Sequence, residues 1–314
     1  MLVFFALKRG RFLVHWVTLC AFLSWNMTEL VQANEHKANR TKSTAKKSSI
    51  RGGRLAPTAA LSLRSNAALV TDENMGAVLY GKNIDVIHPI ASLTKLMTAM
   101  VMLDSGLPLD ATIRVENSDI DFERGSRSKM RVGEVLPRRD LLRLALMSSE
   151  NRAAAALART YPGGQTQFVA MMNRRAVEIG MNSTWFVDSS GLSNANVSTA
   201  RDLVKLVAAA ARHDLIRQYS TTPEVSLTRL DSGQQIAYRN TNLLLRHDTG
   251  WEINLSKTGY LDEAGHCLVL QAKISGRLVN IVLLDSWGRY SRVGDANRIK
   301  QWLQNRSDLA LGAM

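Results

Sequence analysis

Apolar positions alternate with polar ones in short runs at both ends of the chain's folded part and recur every three to four residues between them. Ala67 to Val70 and Ala77 to Tyr80 flank Asp72, Asn74 and Gly76, which is the pattern of a β-hairpin. Leu93, Leu96, Met97, Met100 and Val101 then share one helical face, and Gly106 with Pro108 supplies a stop signal. Ala99, Met102 and Leu103 fill the other faces, and a helix apolar nearly all round belongs in a core. From Leu109 to Thr222 the pattern predicts mainly helix, including 140–147, 152–160, 165–179 and 199–212, with breaks such as "YPGG". Strand character returns in "WEINLSKTGY", "GHCLVLQAKI" and "RLVNIVLLDSW", the last two joined through Ser275 and Gly276. A closing helix over about 292–304 carries Val293, Ala296, Ile299, Trp302 and Leu303 on its stripe. Strands at both ends of a helical middle predict an α+β fold, an antiparallel sheet flanked by helices with an inserted helical lobe.

The first residues follow a different logic. Lys8, Arg9 and Arg11 precede an uncharged stretch from Phe12 to Thr28, and Val31-Gln32-Ala33 offers a small-residue cleavage site. This predicts an export signal over 1–33, cleaved after Ala33, rather than a membrane span, because His15 and Asn26 interrupt the apolar run. Residues 34–54 hold seven Lys/Arg against one Glu, so nearly half of the chain's net charge of +13 sits in a segment without apolar residues. A basic, disordered tether over 34–56 is expected, with the folded domain over 57–314. Its charge suits an anionic wall polymer or lipid, and export argues against nucleic acid. Cys20 lies within the signal without a lipoprotein context, leaving Cys267 as a buried thiol and no internal disulfide.

Within the buried helix, Ser92 and Lys95 stand one turn apart. Residues at i and i+3 share a face, so hydroxyl and amine can meet. Burial, the positive helix end and a second cation would all lower the lysine's pKa, leaving a neutral amine able to activate Ser92. Ser-x-x-Lys also occurs at Ser43/Lys46 and Ser126/Lys129, so context decides. That context is Ser149-Glu150-Asn151 between two helical stretches and Lys257-Thr258-Gly259 at a strand's end. The ordered set is one found in β-lactamases and penicillin-binding proteins.

On "HPIASLTKLMTAM", "LALMSSENRAAAALARTYPGG", "FVDSSGLSNANVSTARDL" and "KTGYLDEAGHCLV", the chain resembles the serine DD-peptidases of peptidoglycan, the low-molecular-mass penicillin-binding proteins. The resemblance runs from about Ala67 to the final helix and implies a β-lactamase/DD-peptidase-like fold. It implies that Ser92 forms the acyl-ester, Lys95 takes its proton and Ser149 relays a proton to the leaving amine. Asn151 would hold a substrate amide, Lys257 and Thr258 its carboxylate, and Gly259 would leave room along the strand. The oxyanion would lie between the N–H groups of Ser92 and Tyr260. Lys257 is expected to be the cation that keeps Lys95 neutral.

The resemblance favours a periplasmic endopeptidase opening D-alanyl crosslinks and acylated by β-lactams; a D-alanyl-D-alanine carboxypeptidase and a non-catalytic wall-binding scaffold are the alternatives. No cofactor and no metal are expected, since His36, His88, His213, His247 and His266 form no close ligand pair. Glu178 and Asn182 match a β-lactamase pattern, but Glu178 falls at a helix end and is expected at the surface. No stable membrane anchor is expected, because the chain stops soon after the Trp302 helix.

Overall fold

The structure, a computed structural model, describes residues 61–311 apart from 123, 230, 231, 247 and 248, with side chains up to residue 306. The expected signal, the tether, Cys20 and the Ser43/Lys46 pair lie outside the described residues. The chain opens with the expected hairpin, β1 (Ser65–Asp72) and β2 (Val78–Lys82). After a two-residue β3 (His88–Pro89) comes a 3-10 turn, Ala91–Thr94, then α1 (Lys95–Asp104). A small ribbon of β4 (Thr112–Arg114) and β5 (Val135–Pro137) leads to α2 (Arg138–Met147), α3 (Asn151–Arg159) and α4 (Gly164–Glu178). Then follow β6 (Val197–Ser198), α5 (Ala200–Ala210), α6 (Asp214–Thr221) and a second ribbon, β7 (Glu224–Thr228) with β8 (Gln235–Arg239). Three long strands, β9 (Glu252–Leu261), β10 (Gly265–Ile274) and β11 (Arg277–Ser286), precede α7 (Arg289–Leu311).

The main sheet runs β2-β1-β11-β10-β9, with each neighbouring pair antiparallel. The first and last strands among the described residues are therefore adjacent, and helices α1 to α6, between β2 and β9, pack as a lobe on one face. Because successive side chains alternate faces, β10 and β11 feed two cores. Val269, Val282 and Leu284 join the lobe's core, whereas Leu268, Leu270, Ile281 and Leu283 pack with Ala296, Ile299 and Leu303 of α7. Burial on both faces explains why these strands read as continuous apolar runs.

Register also places the chemistry. Leu69 pairs with Val282, Val282 with Val269, and Val269 with Lys257. The row faces the lobe, so Lys257 ends an apolar stripe on the edge strand, pointing at α1's side of the molecule. Every residue of α1 from Lys95 to Met102 is buried.

The expectation of mainly helix from 109 to 222 is corrected near its start. Residues 115–134 are an irregular loop between the strands of a ribbon, where the Asp121 carboxylate accepts the Arg124 and Ser126 N–H groups in place of helical carbonyls. Side chain to backbone bonding of this kind competes with helix formation. Pro223 ends α6, and the β7–β8 ribbon beyond it alternates half-buried with exposed positions.

Candidate active site

Ser92 lies in the 3-10 turn that precedes α1, one step before the expected helix start. The turn begins with Ala91 at φ 47°, a left-handed conformation rarely adopted by an alanine, and Thr94 Oγ1 donates to the Ala91 carbonyl at 2.8 Å. Two glycines allow this strained corner to be packed. A Cβ at Gly191 would fall 2.0 Å from the Ala91 oxygen, and one at Gly259 would fall 2.9 Å from the Ile90 oxygen and 3.3 Å from the Ser92 nitrogen. The β9 backbone and the 188–191 loop thus press on the Ser92 turn from two sides.

Lys95 is fully buried. Its Nζ lies 2.8 Å from Ser92 Oγ, 2.7 Å from Asn151 Oδ1 and 2.5 Å from the Ser190 carbonyl. Burial lowers its pKa to about 7 from an ordinary 10.5, against the pull of the Asp188 and Glu150 carboxylates, which favour the ammonium. Of the causes expected, burial is the dominant one, and Lys257 is not the leading influence. Lys257 too is held well below its ordinary value, by burial first and then by the charges of Lys95 and Arg292.

The other expected residues converge on this pair. Ser149, at φ 63°, sits in the tight link between α2 and α3, and its hydroxyl accepts from Lys257 Nζ at 2.9 Å. Asn151, at the start of α3, offers its oxygen to Lys95 and donates Nδ2 to Ser126 Oγ at 3.0 Å. Of the non-glycine left-handed residues, Ala91 immediately precedes Ser92 and Ser149 is itself a site serine, an arrangement in which strain is stored where geometry matters. Thr258 Oγ1 donates to Thr241 Oγ1 at 2.6 Å. Gly259 is held from the α7 side, where Arg292 Nη1 donates to the Gly259 and Cys267 carbonyls at 2.8 and 2.9 Å. Tyr260 is half exposed, stacked on His266 with ring centroids 4.3 Å apart.

Several contributors escaped the sequence reading. Asp188 accepts from the backbone N–H groups of Ser190, Gly191 and Ser193, from the Ser190 hydroxyl and from Asn196 Nδ2. Despite burial, these donors keep its pKa below the ordinary carboxylate value. Asp-Ser-Ser-Gly is itself a turn signal that could have drawn attention to this loop. Glu150 is buried, with its pKa raised by desolvation, and accepts from Ser128 Oγ at 2.6 Å. Ser126, set aside with Lys129, does reach the site, while Lys129 Nζ turns away to the Ala237 carbonyl. A cleft of about 510 Å³ extends from Asn151, Asp188 and Ser190 to Ser118, Phe122 and Leu192. Glu178 pairs with Arg175 at the end of α4 and is no part of the site. Cys267 is buried, and its Sγ donates to the Ala264 carbonyl.

Residues 55–287 match the peptidase S11 family, described as D-alanyl-D-alanine carboxypeptidase. The chain is 50% identical over 251 residues to the D-alanyl-D-alanine endopeptidase of Pseudomonas aeruginosa, covering 80% of this chain and 81% of that one. To the D-alanyl-D-alanine endopeptidase of Escherichia coli it is 46% identical over 242 residues, 77% of this chain and 78% of the other. The fold is similar to that of the Streptomyces K15 DD-transpeptidase, with TM-score 0.71, 29% identity, and coverage of 77% of this chain and 97% of that one. Penicillin-binding protein D2 of Listeria monocytogenes in its ampicillin-bound form gives TM-score 0.67 at 30% identity, covering 77% and 98%. The expected α+β penicillin-binding fold is therefore the observed one. By sequence over most of its length and by the architecture around Ser92, this chain belongs to the serine peptidases of family S11.

Proposed function

We propose that the chain is a periplasmic serine DD-endopeptidase that hydrolyses D-alanyl crosslinks of peptidoglycan through an acyl-ester on Ser92. The observation that carries the reading is the surroundings of Lys95 Nζ. A neutral amine has two N–H groups and one lone pair. The Ser190 carbonyl and Asn151 Oδ1 can only accept, so they engage both N–H groups and the lone pair is left to Ser92 Oγ, 2.8 Å away. A lysine with a pKa of about 7 holds that form near neutrality.

In the proposed reaction Ser92 Oγ bonds to the D-Ala carbonyl carbon while its proton passes to Lys95. Passage of β9 at the Ser92 amide supports an oxyanion site between the Ser92 and Tyr260 N–H groups, where one donor is worth on the order of 3 kcal/mol in the barrier. The C–N bond then breaks, and the proton reaches the leaving amine from Lys95 by way of the Ser149 hydroxyl, which Lys257 holds. The carboxylate beside that amine binds Lys257, recovering its charge, and Thr258, while Asn151 Nδ2 and the open edge of β9 hold the acyl branch. Water then attacks the ester as Lys95 takes its proton and returns one to Ser92. β-Lactams would acylate the same oxygen. No step calls for a metal or cofactor.

The endopeptidase preference rests on what the relatives at 50% and 46% identity are named, and the carboxypeptidase alternative on the family's description. A complete Ser92, Lys95 and Ser149 set speaks against a dead scaffold. Among the described residues no helix is long and apolar enough to cross a membrane; signal cleavage after Ala33 and contact of the basic segment 34–56 with anionic wall polymer belong to the proposal. The test is chromatographic: the mature protein and Ser92→Ala are incubated with a D-alanyl-crosslinked muropeptide dimer and, separately, a monomeric pentapeptide. Conversion of dimer to monomers supports the endopeptidase, release of free D-alanine alone replaces it with the carboxypeptidase, and no product from either refutes catalysis.

A further inference from the structure

Three consecutive side chains at the start of α3 hold one irregular stretch of the 115–134 loop. Glu150 accepts from Ser128 Oγ at 2.6 Å and from the Lys129 N–H at 3.3 Å, Asn151 Nδ2 donates to Ser126 Oγ, and Arg152 Nη1 donates to the Met130 carbonyl at 2.5 Å. Ser128 Oγ itself accepts the Met130 N–H at 3.1 Å, so Glu150 reaches the loop backbone both directly and through a hydroxyl. From the β7–β8 ribbon, Arg229 Nη2 donates to the Lys129 carbonyl at 2.6 Å. Residues 126–130 belong to no helix or strand, so side chains of this kind set their path.

Glu150 is an unexpected choice for such a task. Ser149 and Asn151 on either side of it meet Lys257 and Lys95, whereas Glu150 turns to the loop. It is 8% exposed, and burying a carboxylate is costly. Its charge also favours the ammonium form of Lys95, the wrong state for a base. A side chain that opposes both folding and the base is explained by what it holds in place. The bonds close a ring, from Glu150 through Ser128 along the chain to Ser126, across to Asn151 and back to Glu150. The Asn151 amide is thereby held at both ends, with Nδ2 on Ser126 Oγ at 3.0 Å and Oδ1 receiving Lys95 Nζ at 2.7 Å.

We propose that Glu150 is a positioning residue for acylation: by pinning Ser128 and Lys129 to the start of α3 it seats Ser126 against Asn151, and so keeps the Asn151 oxygen on Lys95 and the lysine's lone pair on Ser92. The inference rests on the DD-peptidase reading above. A glutamine at position 150 preserves the arrangement, its oxygen taking the Lys129 N–H and its amide donating to Ser128 Oγ, and an alanine does not.

The test is acylation of Ser92 by a fluorescent penicillin from pH 5 to 9, resolved into a binding constant and a first-order rate constant. Wild type is compared with Glu150→Ala, Glu150→Gln, Ser128→Ala, Ser126→Ala and the double variant Glu150→Ala/Ser126→Ala. Rates are expressed per acylation-competent site by penicillin titration, which removes any loss of folded protein. On the alkaline plateau Glu150→Ala is expected to acylate about tenfold more slowly, the size of one hydrogen bond to a charged group, with the binding constant within about threefold. Glu150→Gln should recover to within about threefold of wild type. Both variants remove the charge and move the acid limb to lower pH, so only the plateau reports positioning. Ser128→Ala, which cuts the shorter bond from the loop side, should slow the plateau about threefold, and it decides the matter if Glu150→Ala does not fold. The double variant should be no slower than the slower single, because both changes act through Asn151. Unchanged plateaus in Glu150→Ala and Ser128→Ala, a glutamine as slow as the alanine, or losses that multiply in the double variant overturn the positioning role and leave the peptidase reading intact. Absence of covalent penicillin on Ser92 in wild type overturns that reading and this inference with it.

Discussion

If Lys95 is the base, acylation must follow its titration, and the structure sets where. Its pKa lies near 7 instead of 10.5, a displacement equivalent to about 5 kcal/mol of bias against the ammonium, net of the carboxylates that oppose it. With that value about nine-tenths of the lysine is amine at pH 8 and about one part in a hundred at pH 5. The second-order constant for penicillin acylation should therefore fall about tenfold per pH unit below 7, and because it is measured from free enzyme it reports the free-enzyme pKa. A lysine at its ordinary value would be about one part in three thousand amine at pH 7, with the acid limb beyond pH 9. The assay is stopped-flow acylation by a fluorescent penicillin from pH 5 to 9 at constant ionic strength. Glu150→Gln sharpens it: this carboxylate favours the ammonium, so its neutralisation moves the limb to lower pH.

The same displacement predicts a stability effect of definite sign. The folded pKa lies below the unfolded one, so between pH 7 and 10.5 the unfolded chain holds a proton at Lys95 that the native state lacks. The destabilisation is full below pH 7 and vanishes above 10.5, so the wild type gains on Lys95→Met by up to about 5 kcal/mol as pH rises through that window. Urea melts of both proteins at several pH values measure the difference. A flat rate profile, a limb above pH 9, or an upward shift in Glu150→Gln would refute Lys95 as the base.

Further consequences can be tested separately. Ser92→Ala should lose both hydrolysis and covalent penicillin labelling, and labelling detected by mass on any other residue would remove Ser92 from its role. Lys95→Ala should remain folded by circular dichroism yet acylate at least a hundredfold more slowly, the usual scale of one general base, and near-normal acylation at neutral pH would refute the role. Gly191→Ala should cost both rate and about 2 kcal/mol or more in a thermal melt, because its φ of +79° and the Ala91 oxygen 2.0 Å from the new Cβ force the nucleophile's turn to move. The Cys267 thiol, buried with a pKa pushed up to about 11, should stay unmodified by an aromatic disulfide at pH 8 until the protein is denatured.

What could be read from the sequence, and what could not, divides along a physical line. That Ser92, Lys95, Ser149, Asn151 and Lys257 would lie together was legible because such residue types stand out in apolar runs and their local spacing follows helix and strand periods. The strands from Glu252 to Ser286 were legible too, since burial on both faces writes a long apolar run. The loop at 115–134 and the Asp188 cradle were not, because their order comes from side chains bonded to backbone amides, which leave no periodic trace.

Burial and a second cation were both expected to lower the Lys95 pKa, and their relative weight was not legible, for a related reason. An ordered motif set can pair charges, as it paired Lys257 with Lys95, but desolvation depends on everything packed around a group. Here that is a helix buried from Lys95 to Met102, a loop closed by Asp188 and the α3 start bearing Asn151. Lys257 suffers the same desolvation at the end of its own apolar row, so two lysines lie in one site with both charges disfavoured. An anionic substrate changes this asymmetrically. Its carboxylate favours charge on Lys257, which holds Ser149, and that new charge disfavours the ammonium on Lys95. Binding of the correct anion thus holds the base in its reactive form, so the acid limb measured for a carboxylate-bearing substrate under saturation should lie below the free-enzyme limb. The same comparison with an amidated substrate should bring the two limbs together, and coincident limbs for both substrates would exclude this coupling.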